Sequence, residues 1–298
     1  MKDNAFIDGV IPPLVTPTDA QGRVLEDGVR RLVDHVIAGG VHGVFALGGA
    51  GEFYALDAAR RQRVAELVIE QTAGRVPVFI GASAITTADA VEQARNAEAM
   101  GAHAISVLTP FYVSPSDDEL FDHFVAIAMA TRLPVVLYTN PDRTGVSMTA
   151  ALVERLSVVD NIVAIKDSSG DMTLTAEFIR RTRHRGFKVL AGRDTLIYGT
   201  LAHGGAGAVA TTANIAPALV VSIYEKFRVG DLAGALDAQF RLNPLRLAFG
   251  LGTFPSIAKD ALRAIGVDVG EPILPVTPFS DGSRQRLHAL LRELDLIA

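Results

Sequence analysis

Asn161-Ile162-Val163-Ala164-Ile165-Lys166 runs directly into Asp167-Ser168-Ser169-Gly170-Asp171. The first six residues read as a buried β-strand that ends on a lysine, and the next five as a loop that caps a helix. Where parallel strands close into a barrel, their C-terminal ends face the active site. A lysine held there against low-dielectric walls loses part of its ammonium solvation. The neutral amine can then attack a carbonyl carbon and form a Schiff base. The alternative is a lysine that merely leaves its strand into solvent.

Outward from this stretch, short apolar runs alternate with helical patterns every 20 to 35 residues or so, the length of a strand-plus-helix unit. The strand candidates are Val10–Thr16, His42–Leu47, Val76–Ile80, Ala104–Thr109, Pro134–Tyr138, Ile162–Lys166, Lys188–Ala191 and Gly207–Ala210. Val135-Val136-Leu137-Tyr138 and Ile162-Val163-Ala164-Ile165 are apolar without alternation, as strands buried on both faces should be. Helices are expected over Leu25–Ala38 and Ala58–Ala73, and from a cap at Thr87 to Met100, with Gly101 as the stop. Eight such units can close on themselves, so the expected fold is a (β/α)8 TIM barrel over residues 1–228. A doubly wound open sheet is the alternative. Residues 229–298 read as a C-terminal helical extension, with helices over Asp231–Leu247, Pro255–Ile265 and Asp281–Leu296.

Composition narrows the function. The 298 residues are 49% hydrophobic with a formal net charge of -5, so no basic surface invites nucleic acid. There is no cysteine, which excludes disulfides, thiolate metal sites and a cysteine nucleophile. The start, Met1-Lys2-Asp3-Asn4-Ala5-Phe6, lacks the apolar core of a signal peptide, and no apolar stretch approaches the roughly 20 residues of a membrane span. The expectation is a soluble, cytoplasmic enzyme or binding protein for a small molecule, with no nucleic acid and no membrane among its partners.

Several candidate strand ends carry chemistry. After the second comes Leu47-Gly48-Gly49-Ala50-Gly51-Glu52-Phe53, where glycines let the backbone aim its amides at an anion such as a carboxylate. No Lys-Ser/Thr follows, so this is not a P-loop, and an ordinary βα turn is the alternative. The fifth ends in Tyr138-Thr139-Asn140-Pro141-Asp142-Arg143-Thr144-Gly145. A tyrosine there can relay protons, and an arginine in the following loop can grip a carboxylate. The alternatives are a core tyrosine with its hydroxyl in water, and an arginine paired with an acid such as Asp142 or with a neighbouring subunit. Tyr138 and Lys166 lie on consecutive strands, which would bring their tips together. His203-Gly204-Gly205-Ala206-Gly207-Ala208 superficially matches a dinucleotide fingerprint, but its glycines precede the apolar strand residues and open no helix; tight packing is the better reading. The seven histidines show no ligand spacing, with His35, His123 and His184 inside helices, so no metal is expected. Ser168 and Ser169 lack the glycines of a hydrolase elbow.

Taken together, these residues resemble the dihydrodipicolinate synthase and N-acetylneuraminate lyase family of pyruvate-type class I aldolases, over about residues 6 to 295. The resemblance rests on Gly48-Gly49-Ala50-Gly51-Glu52, on Tyr138 with Pro141 and Gly145, on Ile165-Lys166-Asp167, and on Gly204-Gly205 with Thr212-Ala213-Asn214-Ile215-Ala216-Pro217. It implies a (β/α)8 barrel with a C-terminal helical extension, a homotetramer built as a dimer of dimers, and no cofactor. It makes Lys166 the imine-forming lysine and Tyr138 the proton carrier. It makes Gly48, Gly49, Ala50 and Gly51 the loop that holds the oxo-acid carboxylate. Tyr112, in Thr109-Pro110-Phe111-Tyr112, matches a tyrosine that reaches the neighbouring subunit's site. Arg143 matches the arginine that holds a substrate carboxylate, and Val209 a residue whose carbonyl faces the site.

Two departures bear on substrate. The family loop usually carries hydroxyl residues where Gly49 and Ala50 stand, and the synthase routes a proton relay through the first of them. Gly48-Gly49-Ala50-Gly51-Glu52-Phe53 looks closer to the 5-keto-4-deoxyglucarate dehydratase branch, while Pro141-Asp142-Arg143-Thr144-Gly145 looks like the synthase. Tyr138-Thr139-Asn140-Pro141 stands where Tyr-Asn-x-Pro is common. The expected function is a Schiff-base-forming lyase, aldolase or dehydratase, acting on pyruvate or a 2-keto-3-deoxy acid. One alternative is dihydrodipicolinate synthase, condensing pyruvate with aspartate semialdehyde. Another is a non-catalytic protein that binds an oxo acid for regulation.

Overall fold

The computed structural model describes residues 4–298, so Met1, Lys2 and Asp3 at the head of the expected barrel lie outside it. Eight strands follow in chain order: β1 (Gly9–Val10), β2 (Val44–Ala46), β3 (Val78–Gly81), β4 (Ala104–Leu108), β5 (Val135–Thr139), β6 (Ile162–Asp167), β7 (Lys188–Ala191) and β8 (Gly207–Ala208). Between and after them run α1 (Glu26–Ala38), α2 (Ala58–Thr72), α3 (Thr87–Ala99), α4 (Asp117–Met129), α5 (Pro141–Thr144), α6 (Ala150–Leu156), α7 (Met172–Thr182), α8 (Ile197–Ala202), α9 (Pro217–Arg228), α10 (Leu232–Leu247), α11 (Ser256–Ala264) and α12 (Asp281–Glu293). The strand order is β1-β8-β7-β6-β5-β4-β3-β2. A doubly wound sheet reverses its order at a switch point. No reversal occurs here, and the first strand lies beside the eighth, as a closed barrel requires. The fold is a (β/α)8 barrel with a C-terminal helical extension.

The chain clusters into two compact units, one of Pro77–Val209 with the N-terminal segment through Gly9, the other of Val10–Val76 with Ala210–Ala298. In the first, β3 through β8 pair in parallel, each with the next. All of β4, β5 and β6 is buried, which is why their sequences run apolar without alternation. Burying Ile162, Val163 and Ile165 stabilises β6 by roughly 1.5–3 kcal/mol per side chain. Polar caps start the intervening helices. Ser116 and Glu119 close a capping box on α4, and Asp171 accepts from the Thr173 amide at 2.8 Å on α7. The cap of α3 is Thr86, one residue before the expected Thr87. Thr87 is the first helical residue, and its hydroxyl lies 2.9 Å from His123 Nδ1. His184 falls in a 3-10 turn beyond α7, not within the helix. The third glycine cluster packs tightly, as read: a Cβ on Gly207 would overlap the Gly9 backbone, and one on Gly205 would overlap Thr200.

In the second unit, the first strand is shorter than Val10–Thr16. Pro12 and Pro13 have no N–H to give a ladder, and over residues 11–16 the pairing is reduced to a bridge from Pro13 to Phe45. β2 stops at Ala46 because Leu47 turns left-handed at φ 60. The C-terminal helices fall where expected: α10 ends at Leu247 as read, and α11 and α12 end slightly earlier, at Ala264 and Glu293. Asp231, the expected first residue of α10, instead caps it through the Gly234 amide at 2.9 Å. Among the described residues, no helix is long and apolar enough to cross a membrane.

Candidate active site

Lys166 does not leave its strand into solvent. It is 5% exposed. Side chains alternate along a strand, and Asp167, next in line, points at α7, where Thr175 Oγ1 donates to its Oδ2 at 2.5 Å. Lys166 therefore points to the opposite face of the sheet. Its register partner on β5 is Tyr138, 7% exposed. The two tips meet as the sequence predicted, with Lys166 Nζ over the Tyr138 ring, 4.0 Å from its centroid.

Tyr138 is not a core tyrosine with its hydroxyl in water. Asn140 Nδ2 donates to that hydroxyl at 3.0 Å. Burial pushes a phenol's pKa up. Here the charge of Lys166, with hydrogen bonds from Asn140, Ser168 and Lys166, outweighs burial and holds Tyr138 below the ordinary tyrosine range. A phenol whose ionised form is stabilised beside an amine can give up a proton and take it back.

The loop after β5 is braced from behind. Thr144 Oγ1 lies 3.1 Å from Thr109 Oγ1 at the end of β4 and 3.2 Å from the Asn140 carbonyl oxygen. Asp142 pairs with Arg193, whose Nε also donates to the Ser168 carbonyl at 3.0 Å. Asp142 thus helps tie the β5 loop to the loop after Lys166. Arg143 stands exposed on α5. Tyr112, in the loop after β4, is 95% exposed and holds φ 73, a left-handed conformation costly for an aromatic residue. Val209 follows β8 and donates its amide to Ala191 at 2.8 Å.

The glycine-rich turn belongs to the other unit. Gly49–Gly51 form a 3-10 turn after Gly48, and both flanking residues, Leu47 and Glu52, are left-handed. Thr16 Oγ1 donates to the Gly51 carbonyl at 2.6 Å. Glu52 is buried, with Oε1 accepting from the Ile273 amide at 2.8 Å and Oε2 lying 2.6 Å from Lys259 Nζ on α11. The turn is thus built on a strained backbone and anchored to α11 and to the segment at Ile273.

The sequence pattern of the dihydrodipicolinate synthetase family matches residues 6–294. The chain belongs to that family. It is 40% identical over 289 residues to the 4-hydroxy-tetrahydrodipicolinate synthase of Phenylobacterium zucineum, covering 97% of this chain and 98% of the relative. Among solved structures, it superposes with TM-score 0.95 on the Escherichia coli K12 prophage protein YagE, a family member in complex with pyruvate. The two are 33% identical, with 98% of this chain and 100% of that one covered. A monomeric dihydrodipicolinate synthase variant also superposes with TM-score 0.95, at 28% identity and 99% coverage of both chains. With the family comes the activity expected from the motifs: the chain is a class I, Schiff-base-forming lyase acting on pyruvate or another 2-oxo acid. The non-catalytic reading falls away.

Sequence reasoning missed three groups. Asn140 stands in the sequence only as part of the loop after the fifth strand, and nothing in the pattern says that its amide turns back to Tyr138. Ser168 stands out in the sequence only as a serine without a hydrolase elbow, and the fold makes it a partner of Tyr138. Lys259 lies in an amphipathic stretch of the extension, and only the fold joins it to Glu52, 207 positions earlier in the sequence. An apolar helix face interrupted by a lysine was the one available signal.

Proposed function

We propose that Lys166 forms the imine and that Tyr138 moves the protons. The observation that carries this is the buried lysine amine lying over the ring of a phenol whose pKa is lowered. The Lys166 amine adds to the keto carbon and gives a carbinolamine. Tyr138 protonates its hydroxyl, which leaves as water, so that an iminium and a tyrosinate remain. The tyrosinate takes a proton from the adjacent carbon, giving the enamine and restoring the phenol. The iminium is the electron sink for aldol cleavage, aldol addition or loss of water. The pyruvate held by YagE supports a 2-oxo acid substrate. By resemblance, Gly48, Gly49, Ala50 and Gly51 hold the oxo-acid carboxylate, and the Val209 carbonyl faces the site.

Within this class we rank a 2-keto-3-deoxy sugar acid, cleaved or dehydrated, above condensation with aspartate semialdehyde, because Gly49 and Ala50 offer no hydroxyl. The relatives' names favour the synthase reading. The test is to incubate the protein with pyruvate and borohydride and map the adduct. A mass gain on Lys166 is expected, and an adduct on another lysine overturns the assignment. A panel of 2-keto-3-deoxy acids against pyruvate with aspartate semialdehyde then decides the substrate.

Assembly and location belong to the same proposal: a cytoplasmic homotetramer in which Tyr112 serves a neighbouring subunit. Its exposure and strained backbone support a contact beyond its own chain. A fully active monomer by light scattering would sink this part.

A further inference from the structure

We propose that Asn140 is a positioning residue, whose side-chain amide fixes and polarises the Tyr138 hydroxyl for proton transfer. The inference rests on the proton-carrying role of Tyr138 proposed above.

Asn140 sits where a helix begins, and asparagine there normally turns its side-chain oxygen onto the free amides of the first turn. Here it does not. Pro141 has no amide to satisfy, and the Arg143 and Thr144 amides both reach the Asn140 backbone carbonyl at 3.0 Å. The side chain makes no capping bond and instead reaches back two residues to the Tyr138 hydroxyl at 3.0 Å.

The sense of that bond matters. An amide N–H gives its proton to the phenol oxygen, so the phenol's own proton stays available to hand on. The same bond favours the ionised form, adding to the charge of Lys166 in holding the Tyr138 pKa below the ordinary tyrosine range. The amide is held firmly, because the Thr144 hydroxyl, itself 3.1 Å from Thr109 Oγ1, pins the Asn140 carbonyl.

The test needs only pyruvate in heavy water. Exchange of its methyl protons reports the proton step, and borohydride trapping carried to its end point separately reports that the imine still forms, whatever its rate. Four full-length variants are compared: Asn140→Leu, Asn140→Ser, Asn140→Asp and Tyr138→Phe. Asn140→Leu and Asn140→Ser are expected to slow exchange about tenfold, the scale of one lost hydrogen bond, and to reach the wild-type end point of pyruvate trapping. In both, the tyrosine whose phenolate absorbance disappears in Tyr138→Phe should titrate at higher pH than in the wild type. Asn140→Asp, which keeps the shape but can only accept, should behave likewise. Wild-type exchange in Asn140→Asp would mean that the oxygen, not the nitrogen, makes the bond, and would overturn the proposal. Slow exchange without a titration shift, or with weak trapping, would leave Asn140 a turn residue and also overturn it. Slow exchange in Tyr138→Phe with normal exchange in Asn140→Leu and Asn140→Ser defeats this inference alone. Normal exchange in Tyr138→Phe defeats the Tyr138 reading beneath it.

Discussion

Among the described residues two lysines are buried, and they are wired in opposite ways. Lys259, on α11, is fully buried. Its ammonium lies 2.6 Å from Glu52 Oε2, 2.8 Å from Thr18 Oγ1 and 2.7 Å from the Glu271 carbonyl. Three acceptors take its three protons, so no lone pair is left for a carbonyl. Burial pushes its pKa down, and the Glu52 carboxylate pulls part of that back. Lys166 ends a strand and lies over the flat of a tyrosine ring, and that tyrosine is the group whose proton is loosened. Burial by itself does not make a lysine a nucleophile. What surrounds the amine decides whether it is a structural cation or a reagent.

Substitution should separate the two roles. Lys166→Met is expected to show the largest effect, with turnover falling on the order of 10⁴-fold or more, as when a covalent nucleophile is lost. Its unfolding midpoint should barely move. Because the Lys166 charge helps to lower the Tyr138 phenol, that tyrosine should also titrate higher in this variant. Surviving imine chemistry in Lys166→Met would break the comparison by making another lysine the nucleophile.

Lys259→Met should do the reverse. Removing one partner of a buried ion pair leaves an uncompensated charge and costs about 3–5 kcal/mol. Urea unfolding measures this, and the molecules that remain folded should still trap pyruvate. Replacing Glu52 by leucine in the same chain should return part of the loss. Full stability in Lys259→Met would mean that the pair contributes nothing to holding the fold.

Tyr138→Phe sharpens the comparison from the partner's side. It should keep the fold, still trap pyruvate and slow turnover by roughly 100-fold, the scale of a positioned proton carrier. Near wild-type turnover would mean that protons pass another way.

The contrast also shows what a sequence makes legible. Lys166 and Tyr138 could be paired in advance because strand alternation and consecutive parallel order are local rules, and both residues obey them. The barrel followed from the same periodicity. The shortened β1 was harder to see, because its apolar pattern continues through prolines that cannot donate to a ladder. Lys259 with Glu52, and Asn140 with Tyr138, escaped for different reasons. The first pair is joined only by the tertiary fold. The second is a choice between two bonds open to one side chain, and sequence favours the ordinary one.

The smallest effect concerns Arg143, and it bears on what the reagent lysine acts upon. Asp142, the adjacent acid, already pairs with Arg193. Arg143 is exposed on a short helix that begins two residues beyond β5, near in sequence to Tyr138. Its planar fork suits a carboxylate and stays charged at any working pH. If it reads the far half of the substrate, that half is acidic: aspartate semialdehyde, 4-hydroxy-2-oxoglutarate or a sugar diacid. Arg143→Ala should then weaken kcat/KM by about 2 kcal/mol, the scale of a hydrogen bond to a charged group, on acidic substrates and leave neutral 2-keto-3-deoxy acids alone. Imine trapping with pyruvate alone should not change, because pyruvate lacks the second carboxylate. An equal loss on both substrate types would make Arg143 a structural cation like Lys259, and substrate choice would have to be sought in the glycine-rich turn.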